Sequence, residues 1–174
     1  MKYFTIPELT HSLRAQACGI DNTPTAAAVP LMVELIDRVL DPLRESWGGP
    51  ICVSSGYRCP MLNEKVGGVE GSYHTRGMAA DIYDPKGLTE GLFWRLRELY
   101  CEHKVPITEC YYDHKHGYVH VAFPLGIEPI VDIYRAGIIS VNPNSPAVIG
   151  KFSLFFGHFD PPYITIHLRL QISP

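Results

Sequence analysis

Two short runs, Met78-Ala79-Ala80-Asp81-Ile82-Tyr83 and Tyr118-Val119-His120-Val121-Ala122-Phe123, read as strands, yet each carries one ionisable side chain among apolar neighbours. Successive side chains of a strand point to opposite faces. Ala79, Asp81 and Tyr83 therefore share one face, and Ala80 and Ile82 the other. Likewise Tyr118, His120 and Ala122 lie opposite Val119, Val121 and Phe123. If the two strands are neighbours in one sheet, Asp81 and His120 converge on one surface and the aliphatic residues build a core on the other. His74, in Ser72-Tyr73-His74, approaches from the loop before the first strand.

The remaining elements fit around such a sheet. Ile51–Ser55 and Ile107–Tyr112 read as further strands, and Asp113-His114-Lys115-His116-Gly117 as a hairpin turn. Three helices are expected, near 7–17, 25–46 and 89–103. Thr5 can cap the first, with Pro7 in its first turn, Glu8 three residues after the cap, and Gly19 as the stop. In the second, Val29, Met32, Val33, Ile36, Val39, Leu40 and Leu43 recur at helical spacing, and Pro42 should kink or end it. Thr89 should cap the third, whose apolar face is Leu92, Phe93, Leu96, Leu99 and Tyr100. The segment from Gly56 to Gly77 reads as one long loop, and a loop of that length in a small domain is usually functional. The fold class is α+β: an antiparallel sheet carrying the site on one side, with the helices packed on the other.

Bulk properties bound the rest. The 174 residues are 46% hydrophobic and 19% charged, enough apolar material for a core, and the net charge of -3 argues against a broad grip on nucleic acid or anionic lipid. No run is apolar and long enough for membrane insertion. The start, MKYFTIPELTHSL, lacks a signal-peptide pattern. Synthesis in the cytoplasm is the expectation. Cys18, Cys52, Cys59, Cys101 and Cys110 form neither a CxxC pair nor an even framework, and read as idle thiols. After Pro124 the texture changes. Residues 1–124 read as the domain, and 125–174 as an apolar, β-rich extension of unassigned role.

Two imidazoles and a carboxylate form a common catalytic zinc set, because three protein ligands leave a fourth position for water. His74, Asp81 and His120 are such a set, and the small Ala79 and Ala80 leave room for an ion. The spacing is a weak signal by itself, and core histidines in a metal-free domain are the competing reading.

The motifs around the trio resemble a known family. Tyr3 to Leu9, Ser55-Gly56-Tyr57-Arg58, Leu62-Asn63-x-x-Val66-Gly67-Gly68, Ser72-x-His74-x-x-Gly77-x-Ala79-x-Asp81-Ile82 and Val119-His120-Val121 are similar to the M15 zinc peptidases, over about residues 3–124. That family includes D-Ala-D-Ala carboxypeptidases, D,D-dipeptidases and phage endopeptidases. The resemblance implies a hedgehog/D,D-peptidase-like fold, Zn2+ on His74, Asp81 and His120, and a peptidoglycan stem or cross-link peptide as substrate. It implies that Arg58 holds the scissile carbonyl or its developing oxyanion. Ser72 matches a position that contacts substrate or orients the first His, and Asn63 would shape the cleft wall. Many relatives carry an acid three residues before the last His, where this chain has Gly117. Short-domain relatives have a Gln-x-x-x-Glu pattern instead, matched by Glu109 to Asp113, so Asp113 is the expected base, with Glu109 second and His116 third. A phage-type lytic enzyme, released through a membrane lesion and acting on the cell wall as a monomer, would suit these features. The alternative is a zinc-binding but catalytically silent wall-binding module.

Overall fold

The computed structural model describes residues 1–123, so the extension read at 125–174 lies outside the described residues. The helices are α1 (Ile6–Thr10), α2 (Leu13–Cys18), α3 (Ala28–Leu35), α4 (Asp41–Trp47), α5 (Pro60–Lys65) and α6 (Thr89–Cys101); the strands are β1 (Cys52–Ser55), β2 (Ala79–Tyr83), β3 (Glu109–Asp113) and β4 (Tyr118–Ala122). The strands make one antiparallel sheet in the order β1-β2-β4-β3. The expected α+β architecture is what forms.

The alternation in the strands decides which face is which. Ala80, Ile82, Val119, Val121 and Cys110 are buried in a core with Met32, Leu35, Ile36, Val39, Leu40 and Leu43 and with Leu92, Leu96 and Leu99 of α6. Removing this apolar surface from water, at about 25 cal/mol per Å2, drives the sheet and helices together. Asp81, His120, Glu109, Tyr111 and Asp113 take the opposite face.

Several local expectations are corrected. The first helix is two, because Ser12 caps a new start: its hydroxyl accepts from the Ala15 N–H at 3.2 Å, while His11 is extended. Thr5 and Gly19 do cap as expected. Pro42 does not end the second helix. The turn Ile36–Leu40 widens, so that the Asp41 N–H bonds to the Ile36 carbonyl, and the chain then runs on to Trp47. The wide turn absorbs the proline, which has no N–H to give and crowds the preceding turn. It also presents the Asp41 carboxylate to the N-terminus. Asp41 accepts from the backbone N–H groups of Lys2, of Tyr3 at 2.9 Å and of Phe4 at 3.3 Å. Thr89 is not a cap. It begins α6, and its hydroxyl accepts from the Asp84 N–H at 3.2 Å. The Gly56–Gly77 loop contains α5, opened by Pro60 after a Cys59 cap, and a 3-10 turn, Tyr73–Arg76.

Candidate metal centre

The register of the sheet assembles the site. Asp81 pairs with His120 across β2 and β4, and His120 pairs with Tyr111 across β4 and β3. At the other edge an irregularity in β1 skips Ser54, so Val53 faces Ile82 while Ser55 faces Asp81. A bulge of this kind re-aims the side chains that follow it. Here it brings Ser55 beside Asp81 and lets the chain turn back through Gly56, Tyr57 and Arg58.

His74 comes from the 3-10 turn. The Ser72 hydroxyl accepts from the His74 N–H at 3.3 Å and caps that turn. Ser72 thus orients the first histidine through the backbone. The turn closes at Gly77, which has a φ of 78°; a Cβ there would lie 2.9 Å from the Ala28 carbonyl oxygen. Only glycine satisfies both demands. On the other side, His74 Nδ1 lies 2.7 Å from the Gly56 carbonyl oxygen. A carbonyl only accepts, so Nδ1 carries the hydrogen, and the lone pair of the neutral ring sits on Nε2. Burial lowers the pKa of His74, which favours that neutral form.

The three side chains meet at one carboxylate oxygen. Asp81 Oδ1 lies 3.3 Å from His74 Nε2 and 2.8 Å from His120 Nδ1. The other oxygen, Oδ2, accepts from Arg58 Nη2 at 2.6 Å, and Arg58 Nε donates to the Ser55 hydroxyl at 2.8 Å. Burial pushes the Asp81 pKa up, but the hydrogen bond from His120 and the close contact with His74 outweigh it and hold the group ionised well below the ordinary carboxylate range. Burial likewise opposes a charge on His120, and its contacts to Asp81 and Glu109 overcome that and raise its pKa. One anion and two imidazoles, all buried, thus offer ligand atoms within 4.8 Å of one another. An isolated core rarely gathers such groups, since burying them is costly without a partner. The donors fit a divalent ion: a free Nε2 lone pair on His74, an oxygen of Asp81 and Nδ1 of His120, with the outer atoms of all three already held by other groups.

The sequence expectations meet this geometry unevenly. Arg58 reaches the centre as an ion-pair partner of Asp81, and a guanidinium has more donors than these two contacts use. Asn63 is buried in α5. Its amide donates to the Val69 carbonyl at 2.9 Å, and its Oδ1 has no partner among the described residues. Glu109 brings Oε2 to 3.4 Å from His120 Nε2. Asp113 is drawn into the hairpin, accepting from the backbone N–H groups of Lys115 and His116 and facing His116 Nδ1, each at 2.9 Å. The contact with His116 lowers its pKa. His114 lies against Tyr112 on the hairpin.

Two supports had no distinct sequence signal. Asn22 ties the turn before Arg58 in place, donating to the Thr10 and Tyr57 carbonyls and accepting from the Cys59 N–H at 2.7 Å. Tyr111 stacks on His120, ring centroids 4.8 Å apart at 20°. The cross-strand pairing could have suggested Tyr111; Asn22 lay in a cluster read only as turn and cap.

A buried His-Asp-His trio beside one face of the sheet, with an arginine on its carboxylate, is a set that could hold a metal ion. The family described as Peptidase M15 matches residues 2–122, and the chain belongs to that family of peptidases. No curated protein matches the chain.

Proposed function

We propose that the chain is a zinc-dependent peptidase that hydrolyses the stem or cross-link peptides of peptidoglycan. The observation that carries the metal is the convergence of His74 Nε2 and His120 Nδ1 on Asp81 Oδ1. Imidazole and carboxylate donors in a set of three suit zinc with a position left open. The substrate class rests on family membership.

When bound, the ion supplies a Lewis acid and a water acidic enough to ionise near neutral pH. The chain's own residues supply the rest. Asp81 and the two histidines hold the ion, with Asp81 fixed by Arg58 and His74 fixed by Gly56. The unused donors of Arg58 hold the carbonyl oxygen as charge develops on it. Ser72 keeps His74 in place, and Asn63 shapes the cleft wall. Asp113 shares a strand face with Glu109, next to the His120 pair, and takes the proton from the attacking water and returns it to the leaving amine.

Defined muropeptides incubated with purified protein, with and without chelator and then added zinc, test this reading by the masses of the products. Cleavage should vanish with chelator and return with zinc. Asp113→Asn keeps the turn's acceptor and should reduce turnover at least ~100-fold if Asp113 is the base. No cleavage of any muropeptide by zinc-loaded protein would defeat the proposal. That outcome would favour a silent wall-binding module, a reading prompted by the engagement of Asp113 in the hairpin.

A further inference from the structure

We infer that Glu109 is a positioning residue for the metal ligand His120, not the base. This rests on the metal site proposed above. Of the two ring nitrogens of His120, Nδ1 faces Asp81 at 2.8 Å, on the side where His74 also points. Nε2, the other ring nitrogen, lies 3.4 Å from Glu109 Oε2. The ligand atom is therefore Nδ1, and Nε2 keeps its hydrogen. A carboxylate that close favours the tautomer with the hydrogen on Nε2 and raises the basicity of the ligand nitrogen.

The sheet explains how Glu109 reaches its place. In register, Tyr111 is the residue opposite His120, and Glu109 is opposite Ala122. Ala122 is small, so the Glu109 side chain can lean diagonally toward the imidazole. Tyr111 meanwhile covers the face of the ring. The ring thus has a stacked neighbour on its face and an acid at its outer nitrogen, while its inner nitrogen meets Asp81. His74 has the equivalent support from the Gly56 carbonyl at 2.7 Å, and Asp81 from Arg58. Each ligand of the trio then has one outer partner of the right polarity: a carbonyl, a guanidinium and a carboxylate. A base must instead reach the side on which the ligand atoms converge. Glu109 Oε2 meets Nε2, while Nδ1 is the nitrogen that converges with His74 Nε2 on Asp81 Oδ1.

The test compares Glu109→Ala, Glu109→Gln and Glu109→Asp with wild type. Zinc affinity is measured by competition with a chromophoric chelator, and the visible spectrum is recorded after loading with cobalt(II). Wild type should bind about one equivalent. Alanine should weaken zinc binding by about 10- to 100-fold. Aspartate, one methylene shorter, should also weaken it. Glutamine retains an acceptor oxygen at the same reach and should restore affinity to within a few-fold of wild type, with the cobalt spectrum unchanged. Should alanine prevent folding, the glutamine and aspartate pair gives the same contrast. Wild-type zinc affinity in all three variants would overturn the inference, and if turnover were lost at the same time Glu109 would be the base. A wild-type protein that binds neither zinc nor cobalt would overturn the metal reading itself, a result distinct from any difference among the variants.

Discussion

Replacing Arg58 by methionine separates the structural role of its ion pair from its role toward substrate. Arg58 Nη2 is 2.6 Å from Asp81 Oδ2, and the two side chains are 16% and 5% exposed. At an effective dielectric of about 20, a pair this close attracts by roughly 6 kcal/mol before desolvation is counted. Much of that is offset by stripping water from both groups. Removing one partner nevertheless leaves a buried, uncompensated charge, which commonly costs ~3–5 kcal/mol. Asp81 retains His120 as a partner, so the lower end applies, about 3 kcal/mol in metal-free protein, or roughly 10 °C in thermal midpoint for a domain of this size. A divalent ion on Asp81 supplies the missing positive charge, so in zinc-loaded protein the loss should shrink to about 1 kcal/mol. Arg58→Lys keeps the charge but cannot serve Ser55 and Asp81 together, and should fall between. Thermal unfolding of the three proteins, each with zinc and with chelator, gives all six numbers. Equal destabilisation by methionine in both states, or none in either, would refute the argument that Arg58 balances the carboxylate that binds the metal.

Gly56→Ala should destabilise by about 1–3 kcal/mol and weaken metal binding, since a Cβ there overlaps the Leu9 carbonyl and displaces the oxygen that orients His74; calorimetric unfolding and zinc titration check both effects. Asp41→Ala should cost about 2 kcal/mol and raise hydrogen exchange at Lys2 to Phe4, whose N–H groups it binds; unchanged exchange there would refute the assignment. Zinc binding should release protons near neutral pH, because His120 has a raised pKa without metal and a ligand nitrogen must be deprotonated. Affinity should therefore rise with pH and fall on acidification, which titration calorimetry in buffers of different ionisation enthalpy measures. Asp113 has a lowered pKa in the folded chain, so its contribution to stability is present above the unfolded carboxylate pKa and is lost as pH falls through the folded value. Asp113→Asn should flatten that acid limb, followed by thermal midpoints between about pH 3 and 6.

The sequence by itself determined the sheet faces and pointed to the three side chains that come together. Period-two alternation puts Asp81 and His120 opposite a continuous aliphatic surface, and hydrophobic burial then leaves them one face to share. The spacing of Met32 through Leu43 and of Leu92 through Leu99 likewise fixed which helices cover the other face. What the sequence could not determine was who holds whom. The bulge that aims Ser55 at Asp81, the wide turn that lets the chain run past Pro42, and the Gly56 carbonyl behind His74 are backbone events, decided by distant elements closing on one another. The supports for Arg58, Asp113 and Glu109 were equally out of reach, because a charged side chain settles on whichever partner the tertiary packing brings within about 3–4 Å of it. Local periodicity tells which way a residue faces; only the folded chain tells what it meets there.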